Sequence, residues 1–140
     1  MALEVSTDSS NVDWRSVADT LKEVGMASYG ADVHRRAFES SHIAVFVYED
    51  SQLLGFGRAT SDGEYQAAVY DVAVIPEAQG KGVGKRVMQT LLEYVSGCNI
   101  ILYAAPGMEE FYGKLGFSPM TTGMALFNTP AAMKKFTVCE

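Results

Sequence analysis

Three features of this chain have residue types and spacings that suit chemistry. The first is a set of alternate glycines, Gly80, Gly82 and Gly84, with Lys81, Lys85 and Arg86 around them. They follow an apolar, β-branched run, AAVYDVAVI, that stops at Pro76, and a helical pattern comes directly after them. A strand feeding a glycine-rich turn and then a helix N-terminus suits phosphate. Glycines let the backbone come close, and the first N–H groups of a helix have no partner within it. The second feature is Asp71, a lone carboxylate inside the apolar run, costly there unless paired or functional. The third is Tyr112, a phenol on a short stripe of Met108, Phe111, Tyr112 and Leu115 at i, i+3, i+4, i+7. On spacing alone Tyr112 reads as a core tyrosine.

Two common nucleotide motifs do not fit the loop. A Walker A site needs a glycine five residues before Gly84, where Gln79 stands, and a hydroxyl residue after Lys85, where Arg86 stands. The dinucleotide pattern Gly-x-Gly-x-x-Gly would need glycine at Lys85 or at Val87. Neither is present.

The elements that must position these residues are legible as patterns. Val12 to Val24 places Val17, Leu21 and Val24 at helical spacing, and Gly25 ends it. Ala31 to Ser40 is expected as a second helix with Val33 and Phe38 buried. Ile43–Tyr48, Gln52–Thr60 and Tyr65–Ile75 read as strands. Asp62-Gly63 between the last two is a hairpin signal, so an antiparallel meander is expected. The stripe Val83, Val87, Met88, Leu91, Leu92 and Val95 predicts a helix after the glycine turn, with Gly97 as its stop. Asn99 to Ala104 is again strand-like. Strand, helix, strand is a crossover, which makes its two strands parallel. A short helix closed by Gly116 follows, and Phe117–Thr121 and Met124–Phe127 are expected as two final strands.

Gln79-x-x-Gly82-x-Gly84, with DVAVIPEA before it, resembles the acyl-CoA pyrophosphate motif of the GCN5-related N-acetyltransferases, the GNAT family. EEFYGKLGF, Glu109 to Phe117, is similar to that family's C-terminal signature, Phe-Tyr-x-x-x-Gly-Phe. Order and separation both agree, and the resemblance covers residues 43 to 128 well. It implies an α+β fold over a single domain, 1–140. Its central sheet is mostly antiparallel, has one splayed parallel strand pair and is flanked by helices. It also implies acetyl-CoA as co-substrate and an N-acetyltransferase. Segment FGRATSDG with YDVAV looks like small members related to serotonin (arylalkylamine) acetyltransferases, and YDVAV also resembles glucosamine-phosphate acetyltransferases.

Carried over residue by residue, the resemblance gives each group a role. Backbone N–H groups over Gln79, Gly80, Lys81, Gly82, Val83, Gly84 and Lys85 would hold the pyrophosphate. Lys81 and Lys85 would add charge, or be surface lysines. Val72, Ala73 and Val74 would pair with the pantetheine arm, and an N–H near Val74 would polarise the thioester carbonyl. Tyr112 would face the CoA sulfur and act as general acid. An alkylammonium of pKa near ~10.4 must lose a proton before it attacks. For that step Asp71 stands as base, as anchor for the substrate ammonium, or as a hydrogen-bonded structural aspartate. Glu64 and Tyr70 are weaker candidates and a water relay is an alternative. Many family members carry an asparagine after the fifth strand, where this chain has Ala105-Pro106-Gly107.

The acceptor is expected to be a small primary amine. Residues offered for it are Trp14, Tyr29, His34, Arg58, Tyr65 and Tyr70, with Arg58 the one inner basic candidate for a sugar phosphate. A non-catalytic acyl-CoA sensor and a protein acetyltransferase are the rival readings. Eleven basic against seventeen acidic side chains, net −6, argue against nucleic acid. The longest apolar runs fall far short of a membrane span. His34 and His42 lack metal-ligand spacing, so no metal is expected. Cys98 and Cys139 are too few for a disulfide framework and are expected as free thiols in a cytoplasmic protein. A homodimer is compatible with this reading.

Overall fold

The computed structural model describes residues 2–138, so Cys139 lies outside the described residues. Five strands form one sheet in the order β1-β2-β3-β4-β5: β1 (Glu4–Ser6), β2 (Ile43–Glu49), β3 (Gln52–Ser61), β4 (Gln66–Val74) and β5 (Asn99–Ile101). Every pair is antiparallel except β4–β5, which is parallel. The expected meander is β2-β3-β4. Its first turn has φ of 48° at Asp50 and 66° at Ser51, the two positive values that a tight hairpin needs. Its second is closed by the Asp62 carboxylate, which accepts the N–H groups of Glu64, Tyr65 and Gln66 at 2.8, 2.9 and 3.1 Å.

Helix α1 (Trp14–Glu23) is capped by Asp13, whose carboxylate accepts the Ser16 N–H. It ends as expected at Gly25, where φ is 82° and the next N–H, of Met26, reaches back to the Leu21 carbonyl at 2.8 Å. Helix α2 (Ala31–Glu39) corrects one expectation. Val33 is 41% exposed, while His34 is 3% exposed and buried beside Phe38. The helix turns its inner stripe through positions 34 and 38, four residues apart, and an apolar residue at 33 falls off it. The resulting core holds Val17, Leu21, Phe38, Phe46, Phe56 and Ala73.

The residues on the other side of β3 are Gly55 and Gly57. A Cβ at Gly55 would lie 2.7 Å from Val83 Cγ1, and one at Gly57 would lie 2.9 Å from Val87 Cγ1 and 3.2 Å from Leu91 Cδ1. Helix α3 (Val83–Tyr94) therefore packs directly onto the β3 backbone. It buries the predicted Val83, Val87, Met88 and Leu91, and Val95 just past its end, while Leu92 is half-buried.

The chain divides into two compact units, Met1–Leu102 and Tyr103–Glu140. The second holds α4 (Glu109–Gly113), as expected, and α5 (Pro130–Phe136), which was not expected. Thr129 caps α5 by accepting the Ala132 N–H, and Pro130 occupies its first turn. Phe127 and Phe136 meet Tyr103 at 5.3 and 5.0 Å between ring centroids. The strands expected at 117–121 and 124–127 are absent among the described residues. Each apolar run is too short, Pro119 removes a donor, and Met124 and Leu126 are 98% and 92% exposed, so neither segment buries a face. β1 was not expected either; at three residues it is too short for the alternation of Leu3, Glu4, Val5 and Ser6 to stand out. Among the described residues no helix is long and apolar enough to cross a membrane.

Gly57→Ala is expected to destabilise the protein by about 1–3 kcal/mol, read as a lower urea midpoint, because the methyl meets Val87, Val72 and Leu91. Gly113→Ala, with nothing within 4 Å of its Cβ, should leave the midpoint unchanged or raise it.

Candidate active site

β4 is interrupted where Asp71 stands. Phe56 pairs with Ala73 and Arg58 with Tyr70, so Gly57 alone opposes both Asp71 and Val72. This is a β-bulge, and Asp71 adopts φ 57°, in the left-handed region. A regular strand would send Tyr70 and Asp71 to opposite faces; the bulge puts both beside Arg58. The Asp71 carboxylate accepts from Arg58 Nε at 2.8 Å, with the two side chains 23% and 19% exposed. The guanidinium also donates to Ser41 Oγ at 3.3 Å and lies 5.7 Å from the Phe38 ring centroid and 5.2 Å from that of Tyr70. Nothing in its sequence context marks Ser41 for this contact.

His34 completes this cluster. Its Nε2 accepts the backbone N–H of Tyr29 at 2.9 Å, which makes the Nδ1–H tautomer the fitting neutral form. Burial pushes its pKa below the ordinary value; the Asp71 charge opposes this and the Arg58 charge adds to it. The bond ties down the loop before α2, whose N-cap, Gly30, offers no side chain. Tyr29 lines a groove of about 500 Å³ with Arg15, Asp19, Lys22 and Met26. Of the residues offered for the acceptor, the fold thus brings Arg58 and Tyr70 to Asp71, with His34 near enough to feel both charges, while Tyr29 packs against His34 and is itself exposed. Trp14 instead packs on Phe38 and Phe46, and Tyr65 is an exposed side chain at the far end of β4. Glu64 is exposed in the β3–β4 turn.

Val74 ends β4. The Ile75 N–H donates to Leu54 O at 2.8 Å, so Ile75 points its polar backbone at β3 and its neighbour Val74 points away. Gln79 Nε2 reaches Val74 O from that outer side at 3.1 Å. The β4–β5 ladder covers only Gln66–Ala68 against Asn99–Ile101, so it ends well before Val74. Beyond Val74 a 3₁₀ turn, Pro76–Ala78, leads into the glycines. Gly80 and Gly82 have φ of 78° and 84°, values a side chain resists, and nothing stands within 4 Å of where their Cβ atoms would be. Gly82 is the N-cap of α3 and supplies no side-chain acceptor to its first N–H groups. Val83 is buried beneath, while Lys81 and Lys85 are exposed. The loop is a bare floor of amide donors with room above it.

Tyr112 belongs to the second unit. The signature around it is a helix stop: Gly116, at φ 100°, donates to the Gly113 carbonyl at 3.1 Å and Phe117 to the Tyr112 carbonyl at 3.2 Å. The Tyr112 ring meets Phe111 and Phe117 edge-on at 5.0 and 5.9 Å, and burial pushes its phenol above the ordinary pKa. Among the described residues no group of three or more His, Cys, Asp or Glu side chains is placed to hold a metal ion. Cys98 is a free thiol just before β5.

Comparison with known proteins agrees with this geometry. The acetyltransferase (GNAT) family model matches residues 11–117. The chain belongs to the GNAT acetyltransferase family. Rice serotonin N-acetyltransferase 2, chloroplastic, is 33% identical over 135 residues, 89% of this chain and 68% of the rice protein. Other curated relatives match over less of their length: the chain spans 41% of a Pyropia yezoensis N-acetyltransferase and 34% of an Arabidopsis chloroplastic one. Among solved structures, a Xanthomonas campestris protein assigned to the same family superposes with TM-score 0.80 at 25% identity, covering 91% of this chain and 94% of its own. Arabidopsis glucosamine-6-phosphate N-acetyltransferase shares the fold alone, at TM-score 0.72 and 18% identity over 92% of this chain and all of its own. The mixed sheet with its single parallel pair is the one the resemblance implied.

The buried neutral imidazole makes stability depend on pH. A depressed folded-state pKa means that His34 contributes fully above about 6.5, its unfolded value, and loses that contribution as pH falls through the folded one. Asp13 and Asp62, held down by N–H and O–H donors, act only below about pH 4, so the window between 5 and 7 belongs to His34. The melting temperature should drop as pH falls from 7 to 5, and His34→Gln should flatten that slope. An unchanged slope would assign it elsewhere.

Proposed function

We propose that this acetyltransferase moves the acetyl group of acetyl-CoA to a small primary amine by direct attack on the thioester. The observation that carries the reading is the outward-facing backbone of Val74 at the strand end from which the glycine loop departs. That N–H suits a developing oxyanion, since it is fixed before reaction and needs no reorganisation. The N–H groups from Gln79 to Lys85 suit the pyrophosphate: the glycine floor is open and the helix end adds partial positive charge. Outer backbone groups of the Val72–Val74 segment would hold the pantetheine arm. The family match runs through both units, which supports reading residues 1–140 as one domain.

Tyr112 is assigned the departing thiolate. A raised phenol pKa keeps it protonated, and therefore a donor, throughout the working pH range. Asp71 is assigned a structural role, because its carboxylate is spent on Arg58. The ammonium proton then leaves to water. The same ion pair bears on the acceptor. Arg58, the one inner cation considered for a sugar phosphate, already carries a counter-ion, and its surroundings are the rings of Tyr70 and Phe38. A neutralised, aromatic-lined cluster favours an aromatic or aliphatic amine, in keeping with the activity for which the rice relative is named. Two cysteines without a framework support a reducing compartment; cytoplasm satisfies that condition, and so does the plastid of the rice relative.

An amine panel with acetyl-CoA, read by thiol release, tests the reading. Arylalkylamines and alkylamines should turn over, and an amino-sugar phosphate should not. Turnover confined to lysine-bearing peptides would move the assignment to protein acetylation. Tyr112→Phe should lower kcat by about 10²–10⁴-fold and leave CoA affinity within about threefold. Equal loss of both would remove the phenol from the chemistry. Gly82→Val should act oppositely, weakening CoA binding by at least tenfold, because it strains φ 84° and covers the amides.

A further inference from the structure

We propose that Arg58 is a positioning residue for acetyl transfer: by holding the Asp71 carboxylate it keeps the β4 bulge, and through the bulge it aims the Val74 N–H. The inference rests on the role given to Val74 above. It begins from an unfavourable conformation. A residue with a Cβ resists φ 57°, and the bulge position that needs it is usually glycine. The side chain that fills it here is tied at 2.8 Å to Arg58 Nε, on the strand directly opposite.

Arg58 is itself fixed from several elements. Phe38 of α2 is 1% exposed and lies under the guanidinium, Tyr70 of β4 flanks it, and Ser41 beyond α2 accepts from Nη1. The planar fork meets the carboxylate, the hydroxyl and the rings at once, which a lysine point charge cannot do. Partly buried ion pairs are weak sources of net stability, and their best-attested use is to fix register. Register is what is at stake here. The bulge adds one residue to β4 between Tyr70 and Ala73. Relaxing it would slide the strand by up to about 3.4 Å per residue, and Val74 is three positions further on. Misplacing a reacting contact by about 1 Å can cost on the order of 100-fold in rate.

The test is a double-mutant cycle on the intact chain with Arg58→Met, Asp71→Asn and both together. Each single change should lower kcat/KM for acetyl-CoA by about 10–100-fold. The double variant should be no worse than the poorer single by more than about threefold, since the two residues act as one device. The acid limb of the pH–rate profile should keep its position in all three. Multiplicative losses would overturn the proposal, and so would loss of the acid limb in Asp71→Asn alone, which would make Asp71 the base. Arg58→Lys should recover only part of the rate, and full recovery would overturn the geometric argument. Should Arg58→Met fail to fold, Asp71→Gly, free to adopt positive φ, provides a background in which Arg58→Lys should have no further effect; a further drop there overturns the proposal. In the protein without ligands, amide chemical shifts of Val72–Val74 should move alike in Arg58→Met and Asp71→Asn. Unmoved shifts overturn the positioning role even if no amine is acetylated, whereas moved shifts with no turnover leave it standing and sink the assigned reaction.

Discussion

The absence of side chains at Gly55 and Gly57 is the constraint on which the rest of the first unit depends. With no Cβ on that side of β3, α3 descends until Val83, Val87 and Leu91 touch backbone. Its axis and the height of its first turn are then set by van der Waals contact, which is steep, and not by loop length, which is soft. The same contact includes Val72 Cγ2, 3.0 Å from where a Gly57 Cβ would be. The bulge on β4 and the seat of α3 are therefore two sides of one packing problem. Gly57 alone faces two residues across the ladder, and only glycine leaves room for the second. The relative placement of strand end, amide floor and helix N-terminus follows from this one close approach.

The C-terminal signature segment also works as a chain reversal, of the kind that ends α1. Gly25 and Gly116 each end a helix in a left-handed conformation, with the following apolar residue bonding back to the turn it has left. At Gly116 that residue is Phe117, whose ring meets Tyr112. The Phe-Tyr-x-x-x-Gly-Phe spacing is thus a requirement of helix termination before it is one of chemistry. It presents a tyrosine whose ring is packed on two sides, so that the hydroxyl has a defined direction. Similar logic applies to Gly80 and Gly82, where positive φ, rather than crowding, requires glycine.

Long periodic segments were the legible part of the fold. The stripe of α3, the meander and the crossover appear in the sequence as period 3.6 and period 2, because burial on one face imposes those periods. The loop was legible for a different reason: left-handed backbone leaves glycines behind. What stayed hidden was whatever depends on partners distant in sequence. Val33 and His34 are indistinguishable by pattern over one short helix; the choice is made by Phe38 four residues on and by the Tyr29 N–H that His34 can accept. Asp71 showed that a carboxylate needed a partner, but alternation could not say which face it took, since the bulge breaks alternation there. Helix α5 did leave a signal, Thr-Pro at its start, whereas apolar residues at 117–127 imitated strands in runs too short to bury a face.

Charge in this chain is arranged locally, against its overall sign. A net charge of −6 repels a polyphosphate at long range. Over more than a Debye length, about 8 Å at physiological salt, that repulsion is screened. Within that distance Lys81, Lys85, Arg86 and the uncapped amides of α3 decide the potential above the loop. On the proposed reading, an acidic surface meanwhile favours approach of a cationic amine, which would have to shed its proton before attack. The partly buried cluster of His34, Arg58 and Asp71 holds one guanidinium, one carboxylate and one imidazole kept neutral by burial, so it adds no net charge of its own. An ammonium entering such a neutral, ring-lined region gives up hydration without gaining a counter-ion. That is a physical route by which the free amine, the form able to attack, is favoured over its protonated form.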